Sequence, residues 1–282
     1  MFSVIIPTYN RLSVLPQAIG SVVNQVFHDW ELIIVDDGST DNTFEFIDSL
    51  NKSRIVVIRQ NNLGVCVARN AGSKVAKGNY LIFLDSDDQL LPNALEDFKN
   101  AIFSQNSSDL ILAGYLRRNL ENENYIYSSP VNSYSAPLSG TFAIKKEIFI
   151  GLGGYDENIK FGENTEFFHR FNLSGFTNCV IDSYTLIYND HFLGGSKNLL
   201  NSTHSLIYML NKHNDTLSEK VKFLYHQILG VNFIRFRHFS KARFHLKKAF
   251  FIKPTRFDTL GRLVISLFPF IAKKLYSREV EL

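Results

Sequence analysis

Short apolar runs alternate with helical patterns along the first hundred residues of the chain. The runs at 2–6, 30–35, 54–58 and 80–84 are typical of buried strands, and apolar residues recur at helical spacing between them. Strands that alternate with helices predict an α/β fold with a Rossmann-like, mostly parallel sheet and flanking helices. In such a sheet, ligands bind beyond the carboxyl ends of the strands. The residues that follow the strands are therefore the first candidates for a functional site.

Three of the predicted strands end in polar segments. They are PTYN at 7–10, DDGSTD at 36–41 and DSDD at 85–88. The Asp-x-Asp spacing of Asp85 and Asp87 places two hard oxygen ligands on one side of a turn, which suits Mg²⁺ or Mn²⁺ already held by phosphate oxygens. An acidic turn that caps the next helix is the alternative, and Asp88 with Pro92 would satisfy it.

The sequence lacks both common glycine motifs for phosphate binding. Neither GxGxxG nor GxxxxGK[ST] occurs, so we expect a metal to hold any phosphate that the protein binds. Gly64 and Arg69 offer backbone room and one guanidinium near the start of a predicted helix, where a nucleotide could approach. The alternative is that Arg69 is a solvated helix residue and Gly72 a close-packing site.

Four longer segments of this region follow one another in a characteristic order. They are SVIIPTYN (3–10), ELIIVDDGSTDNT (31–43), NLGVCVARNAG (62–72) and YLIFLDSDD (80–88). Together they resemble the family 2 glycosyltransferases with a GT-A fold, of the type that builds bacterial cell-surface polysaccharides. The resemblance implies a nucleoside diphosphate sugar as donor, with a UDP-sugar favoured over the others. It also implies transfer with inversion at the anomeric carbon.

The resemblance also implies roles for the residues at the strand ends. Thr8, Tyr9 and Asp37 would lie around the base and ribose with Arg69 nearby, Asp85 would face the ribose or sugar, and Asp87 would bind the metal. The full set of donor-binding candidates is Pro7, Thr8, Tyr9, Asn10, Asp37, Gly64, Arg69, Asp85, Ser86 and Asp87. A leaving nucleoside diphosphate gathers negative charge, and Mn²⁺ or Mg²⁺ as cofactor would stabilise that charge.

A second acidic motif, Glu163-Asn164-Thr165-Glu166, follows a glycine turn at 151–154 and opens a predicted helix. In the family, an Asp that deprotonates the acceptor hydroxyl occupies the place of Asn164. Because an amide is not a useful base near neutral pH, either Glu163 or Glu166 acts as the base or the chemistry is impaired. The alternative is that both are first-turn helix residues, with Asn164 as a cap.

His191 precedes a glycine turn at 194–195. The family often brings a side chain from this region back to the diphosphate or the metal, so the resemblance makes His191 a candidate metal ligand beside Asp87. A lone histidine is more often a surface or core residue, and that alternative stays open.

The chain combines an acidic body with a basic tail. Residues 220–282 contain 14 Lys/Arg and 3 Asp/Glu, a net charge of +11, which leaves −8 on residues 1–219. Aromatic and basic residues interleave on the predicted helices of the tail, the last of which is expected at 260–276 with a kink at Pro269. This pattern predicts an anionic membrane surface as partner rather than nucleic acid. An ordinary helical subdomain packed on the sheet is the alternative.

Cysteine use and hydropathy bear on location. Cys66 and Cys179 are far apart in the sequence, which favours a reducing cytoplasm. The longest apolar run, 263–272, falls short of the ~20 residues of a membrane-spanning helix. The first predicted strand begins at residue 2, so we expect no signal peptide. We therefore expect a cytoplasmic protein that binds peripherally to the inner face of the cell membrane.

The predicted organisation is a donor-binding half at 1–112, an acceptor and catalytic half of the same GT-A domain at 113–216, and a basic helical tail at 217–282. The predicted function is metal-dependent, inverting transfer of one sugar to a lipid-linked or growing surface glycan. Two alternatives remain. One is a non-catalytic subunit that binds sugar nucleotides, and the other is a nucleotidyltransferase, which shares the α/β sheet and an acidic metal site. The oligomeric state is open.

Overall fold

The structure is a computed structural model that describes residues 1–50, 53–104, 108–118, 124–129, 136–189 and 198–278. Contacts divide the chain into two units. The N-terminal unit comprises Met1–Asn158 and Gly162–Phe192, and the C-terminal unit comprises Ile159–Phe161 and Leu193–Leu282. The helical unit thus begins before the predicted tail at 217–282, while the roles assigned to 1–112, 113–216 and 217–282 stay predictions.

A single mixed sheet forms the N-terminal unit. Its strands are β1 (Phe2–Thr8), β2 (Trp30–Asp36), β3 (Ile55–Arg59), β4 (Tyr80–Phe83), β5 (Gln89–Leu90), β6 (Leu110–Arg118), β7 (Tyr125–Ser128), β8 (Phe142–Lys145) and β9 (Asn178–Asn189). The order within the described residues is β3-β2-β1-β4-β8-β6-β9-β5, with β7 beside β6. The α/β prediction is confirmed.

Only part of the sheet is parallel. Strands β1 to β4 pair in parallel, as does β6 with β9, whereas β8 pairs antiparallel with both β4 and β6. Antiparallel neighbours need no crossover helix, and the described chain between β6 and β8 holds none. The expectation of a mostly parallel sheet therefore applies to the first four strands.

Helices flank this sheet. They are α1 (Leu15–Val23), α2 (Thr43–Asp48), α3 (Val65–Val75), α4 (Ala94–Ser104), α5 (Lys146–Gly151) and α6 (Glu163–Leu173). Side chains of β1 pack into two hydrophobic cores, Val4 and Ile6 on one face of the sheet and Ile5 on the other. A Cβ on Gly72 of α3 would lie 2.6 Å from Ile5 Cγ2, so the interpretation of Gly72 as a close-packing site is confirmed.

Strand β1 extends beyond its predicted end at Ile6, because Pro7 and Thr8 continue the pairing with β2. The register with β4 ends at Ile5 opposite Phe83. Pro7 therefore lies where β1 has a neighbour on one side only, a position that tolerates a missing N–H. The extension carries Thr8 to the sheet edge where the site forms.

Helices make up the C-terminal unit. They are α7 (Leu199–Lys212), α8 (Glu219–Arg235), α9 (Phe239–Ile252), α10 (Phe257–Leu267) and α11 (Pro269–Leu275). The single helix predicted at 260–276 is wrong, since Phe268 leaves the helical region with φ −114° and ψ 83°. A residue before proline avoids the α conformation, and Pro269 instead starts α11. No helix in the described part of the chain is long and apolar enough to span a bilayer.

Two histidines of this unit form a partly buried pair. The Nδ1 atoms of His226 on α8 and His245 on α9 lie 2.9 Å apart, and the ring of His245 stacks on Phe233. Burial, with a smaller effect of Lys248, lowers the pKa of His226 to about 4. Burial, then His226 and Lys248, lowers the pKa of His245 to about 4. Both rings are therefore neutral near pH 7.

This pair predicts acid sensitivity of the helical unit. An unfolded histidine titrates at pH ~6.5, so between pH ~6.5 and 4 the unfolded chain binds protons that the folded pair excludes. Stability should be undiminished above pH ~6.5 and fall below it, by at most about 1.4 kcal/mol per pH unit for each histidine. In urea unfolding followed by circular dichroism, His245→Gln should flatten this dependence. The same change at the exposed His204 should leave it intact.

Candidate active site

The loops that follow β1 and β2 are locked together by Asn10. Its backbone N–H donates to Ser39 Oγ at 3.0 Å, its Oδ1 accepts from the Thr40 N–H at 2.8 Å, and its Nδ2 donates to Thr40 Oγ1 at 3.1 Å. Asn10 has φ +52°, a region that Asn tolerates better than most residues. Thr8 is buried, whereas Tyr9 is 41% exposed and free to meet a ligand.

Asp37 organises the loop that precedes α3. Its carboxylate accepts from Gln60 Nε2 at 2.7 Å and from the backbone N–H groups of Leu63 at 2.9 Å and Gly64 at 2.8 Å. Gly64 starts the helix with φ +99°, which disfavours a side chain. The contacts of Asp37 are thus structural. They shape the surface where the resemblance places the nucleobase of the donor.

A pocket of about 760 Å³ opens beside this loop. It is lined by Gly38, Ser39, Thr40, Arg59, Gln60, Asn61 and Asn62. Arg59 contributes a positive charge, with its Nε 3.4 Å from Asp36 Oδ2. Amide and hydroxyl groups dominate the rest of the lining, and such groups can both donate to and accept from a heterocyclic base.

Arg69 joins the two acidic motifs. Its Nη1 donates to Glu163 Oε1 at 2.7 Å, and its Nη2 donates to Asp85 Oδ1 at 2.5 Å and to Ser139 Oγ at 3.0 Å. The side chain is 2% exposed and lies over the ring of Tyr155. Burial opposes its charge, but Asp85 and Glu163 raise the pKa of the guanidinium well above its usual range. The alternative of a solvated helix residue is therefore wrong.

Asp87 and Asp85 face the open side of the site. Their side chains are 20% and 40% exposed, and Asp87 Oδ2 lies 3.9 Å from Arg11 Nη1. Ser86, between them, is buried. Both carboxylates are thus reachable from solvent at the end of β4, as expected for groups that meet a charged ligand.

Asp88 is buried and has a structural role, unlike Asp85 and Asp87. It is 2% exposed, and its Oδ1 accepts from the backbone N–H of Asn189 at 2.9 Å. Asn189 Nδ2 in turn donates to the carbonyl of Asp87 at 2.7 Å. Burial, followed by the charge of Asp85, raises the pKa of the Asp88 carboxyl well above its usual range. Asp88 therefore fastens the acidic turn to the end of β9.

The first turn of α6 presents Glu163 and Asn164 to the site. Glu163 is 16% exposed and contacts Arg69. Asn164 is almost buried, since its Oδ1 accepts from the Tyr155 hydroxyl at 2.7 Å and its Nδ2 donates to the carbonyl of Pro137 at 3.0 Å. Burial raises the pKa of Tyr155 well above its usual range, so the hydroxyl stays a donor. The helix cap is Gly162, not Asn164.

Glu166 points away from the solvent-accessible surface of the site. It is fully buried, and its carboxylate accepts from Arg170 Nε and Nη2 at 2.7 to 3.0 Å. Arg170 Nη2 also donates to the carbonyl of Gly154 at 2.7 Å. This ion pair holds the glycine turn against α6. The geometry therefore favours Glu163 over Glu166 as a group that can reach a substrate.

Several residues of the site were not singled out from the sequence. Asn70 exchanges two hydrogen bonds of 2.9 Å with the backbone of Tyr155, and Ser139 contacts Arg69. Asn70 stands beside Arg69 in the ARNAG segment, which was the available signal. The Glu166 and Arg170 pair has the four-residue spacing of a helical ion pair, a second readable signal.

The carboxylates present fit a small divalent cation of the Mg²⁺ type. Such an ion keeps several waters and takes one or two protein carboxylates plus phosphate oxygens, so it needs no preformed cage. Asp87 and Asp85 supply two accessible carboxylates, and no cluster of three His, Cys, Asp or Glu occurs in the part of the chain that the structure describes. His191, the second predicted ligand, lies outside the described residues.

Comparison with known proteins assigns the family. The model of "Glycosyl transferase family 2" matches residues 3–164, more than half of the chain. The chain belongs to glycosyl transferase family 2. The matched segment contains all the strand-end motifs and the first two residues of α6, so the family predicted from the four segments is confirmed.

Two bacterial relatives carry the name of a polymer in their own names. The poly(ribitol-phosphate) beta-N-acetylglucosaminyltransferase TarP of Staphylococcus aureus (strain N315) is 43% identical over 119 residues, which cover 40% of this chain and 36% of that protein. The putative colanic acid biosynthesis glycosyl transferase WcaA of Escherichia coli (strain K12) is 34% identical over 142 residues, 49% of this chain and 47% of that protein. The chain thus spans less than half of these two relatives.

The fold has a counterpart among solved structures. S. aureus TarS 1–349 in complex with UDP-GlcNAc has a TM-score of 0.62 and 24% sequence identity, and the match covers 94% of this chain and 79% of that one. At this identity the likeness speaks for the fold alone. The predicted GT-A class is confirmed, while the roles of individual site residues stay predictions.

Proposed function

We propose that this protein transfers one sugar from a nucleoside diphosphate sugar, a UDP-sugar, to a glycan acceptor with inversion at the anomeric carbon. The observation that carries the proposal is the Arg69 bridge. It brings Asp85, at the strand end where a donor would bind, together with Glu163, on the helix that opens the acceptor half. Both substrates of a displacement must meet at one point, and we propose that they meet beside this bridge.

The donor side is supported by the accessible groups around the pocket and the acidic turn. Tyr9 and the amide-lined pocket offer stacking and hydrogen bonding to a base, while Asp85 can accept from hydroxyl groups of a ribose or sugar. The names of the relatives support the choice of donor. One of them is an N-acetylglucosaminyltransferase, and TarS was solved with UDP-GlcNAc.

Asp87, with Asp85 beside it, would hold Mn²⁺ or Mg²⁺. When bound, such a cation stabilises the negative charge that gathers on the leaving diphosphate. Arg11, 3.9 Å from Asp87, adds a positive charge on the same side. Without a cation, the carboxylates of the acidic turn would repel a diphosphate, so we propose that donor binding depends on the metal.

Glu163 is the group that we assign as general base. It is the accessible carboxylate of the α6 motif, whereas Glu166 is enclosed by its ion pair with Arg170. Arg69 fixes the Glu163 carboxylate on one oxygen, which orients the other for an acceptor hydroxyl. In an inverting displacement, the base must remove that proton as the hydroxyl oxygen attacks the anomeric carbon.

The acceptor we propose is a lipid-linked or growing surface glycan at the cytoplasmic face of the membrane. The relatives named for poly(ribitol-phosphate) and for colanic acid biosynthesis support a surface glycan. The basic tail supports a location at an anionic membrane surface.

One observation favours a second candidate, a non-catalytic subunit that binds sugar nucleotides. Both polar atoms of the Asn164 amide are hydrogen-bonded, Oδ1 to the Tyr155 hydroxyl and Nδ2 to the Pro137 carbonyl. This position is therefore organised for an Asn and not for a side chain that could act as general base. The two candidates differ in turnover. Hydrolysis of the bound donor by water would exclude the non-catalytic subunit, and donor binding without any turnover would favour it.

Asp87→Ala tests the donor and metal sites together. A thermal-shift panel of UDP-, GDP- and dTDP-sugars with and without Mn²⁺ first identifies the donor, because only a ligand of the folded state raises the melting temperature. Asp87→Ala should then abolish Mn²⁺-dependent donor binding in calorimetry and reduce turnover at least about 100-fold. Asp48→Ala, which removes an exposed carboxylate at the end of α2, is the matched control and should change neither. Unchanged donor affinity in Asp87→Ala would refute the metal role.

A further inference from the structure

Helices α10 and α11 turn small or polar side chains inward and large apolar ones outward. The buried residues of α10 are Thr259 and Ser266, and that of α11 is Ala272. The exposed apolar residues, with their exposed fractions, are Phe257 82%, Leu260 38%, Val264 45%, Leu267 51%, Phe268 53%, Phe270 85%, Ile271 45% and Leu275 61%. A helix that packs only on its own protein has the opposite pattern.

Polar contacts with α8 hold the inward side of α10 and so fix which face of the helix is exposed. Gln227 of α8 contacts Thr259 Oγ1, and its Oε1 accepts from Arg262 Nη1 at 2.6 Å. Leu263 and Ile265 pack partly against the core of the unit. The outward residues 257, 260, 264 and 267 follow the three- and four-residue spacing that places side chains on one helical face. The outward face is therefore a fixed apolar stripe.

Positive charge accompanies this stripe. Residues 239–278 contain ten Lys or Arg and a single acidic residue, Asp258. The acidic side chain is already paired with Arg256 at 3.0 Å. The exposed basic side chains of this stretch are Lys241, Lys247, Lys248, Arg256, Lys273, Lys274 and Arg278. Apolar groups accompanied by lysine and arginine complement an anionic lipid surface, because the apolar groups contact acyl chains and the basic side chains contact headgroups.

We infer that the α10–α11 face, defined as the eight exposed apolar residues above, inserts into the interfacial layer of an anionic bilayer. Phe257 and Phe270 are its most exposed members and enter the acyl boundary, while Lys273 and Lys274 contact phosphate headgroups. Insertion lies in the plane of the interface, since neither helix reaches the length of a span. The binding stands independently of the proposed activity. Its benefit, a high local concentration of lipid-linked acceptor, rests on the proposed glycosyl transfer.

Co-sedimentation of the full chain with vesicles tests the inference. Wild type should pellet with phosphatidylglycerol vesicles and much less with phosphatidylcholine vesicles, and a fraction should stay bound in 0.5 M salt because apolar insertion is not screened. Leu267→Ser with Phe270→Ser should weaken binding at least about tenfold and remove the salt-resistant fraction. Lys273→Glu with Lys274→Glu should remove the preference for the anionic lipid.

Matched controls lie on the N-terminal unit. Phe103→Ser with Leu173→Ser removes two comparably exposed apolar side chains, and Lys74→Glu with Lys77→Glu reverses two exposed charges. Both controls should bind vesicles like wild type. Equal effects of test and control variants, or no binding of wild type, would overturn the inference. A third result would also overturn it: light scattering shows a wild-type dimer, Phe270→Ser dissociates that dimer, and wild type binds no vesicles. The face would then join two copies of the chain.

Hydrolysis of the donor in solution separates the two proposals. The vesicle-binding variants should hydrolyse the donor at the wild-type rate. Vesicle binding by a wild type that lacks turnover would refute the glycosyl transfer alone, and turnover by a wild type that ignores vesicles would refute the membrane face alone.

Discussion

Replacing Glu163 by Gln should slow turnover of the donor by about 10²–10⁴-fold while leaving donor affinity close to that of wild type. Gln keeps the shape of the side chain and an oxygen that accepts from Arg69, but it removes the capacity to take a proton. Loss of the negative charge from the pair with buried Arg69 should also lower the unfolding free energy by about 1–3 kcal/mol. The measurement is the rate of sugar transfer, or of donor hydrolysis by water, together with donor affinity by calorimetry.

Glu166→Gln is the matched comparison, made three residues later on the same helix. Because Glu166 is buried against Arg170, this change should lower the unfolding free energy by about 1–3 kcal/mol and leave the turnover of the folded protein near wild type. The reverse outcome, an active Glu163→Gln and an inactive but stable Glu166→Gln, would move the base to Glu166. If both variants stay active, neither carboxylate is the base. A large gain of activity in Asn164→Asp would mark the natural protein as a weakened enzyme.

Arg69→Ala should lower the unfolding free energy of the N-terminal unit by about 3–5 kcal/mol, because it leaves two carboxylates facing each other without their shared cation. Arg69→Lys should recover little of this loss, since an ammonium cannot reproduce the fork that reaches Asp85 and Glu163 together. Urea unfolding followed by tryptophan fluorescence measures the effect. Trp30, the single tryptophan, is 4% exposed on β2 and reports on this unit.

Lys74→Ala provides the control, because it removes an exposed cation from the last turn of the same helix. It should change the unfolding free energy by less than about 0.5 kcal/mol. A loss below about 1 kcal/mol in Arg69→Ala would mean that the bridge contributes little to the fold. The assignment of Arg69 as the link between donor and acceptor sides would then have to be abandoned.

The periodicity of the sequence predicted the elements well where a single physical rule decides them. Continuous apolar runs gave the strands β1 to β4, of which β3 is only partly buried. The strand order was out of reach, because the insertion of β8 between β4 and β6 depends on pairing between distant segments. The proline at 269 predicted a kink, whereas the structure ends one helix at Leu267 and starts another at Pro269.

The site was predictable as a set of motifs and not as a set of contacts. The sequence separates Arg69 from Glu163 by 94 residues, and nothing local indicates that they meet. The choice between Glu163 and Glu166 depended on burial, which differs between these two residues of the first turn of one helix. The helical spacing of Glu166 and Arg170 was a usable signal that would have marked Glu166 as structural.

The position of Arg69 and Asn70 on α3 limits how this family member can be recombined. Two consecutive residues of the first half carry hydrogen bonds to Ser139, Tyr155 and Glu163 of the second. A chimera that exchanges the second half for that of a relative therefore separates these side chains from the partners with which they were selected. Grafts that preserve folding must carry α3 along with the acceptor half, so the unit of exchange crosses the boundary that the motifs suggest.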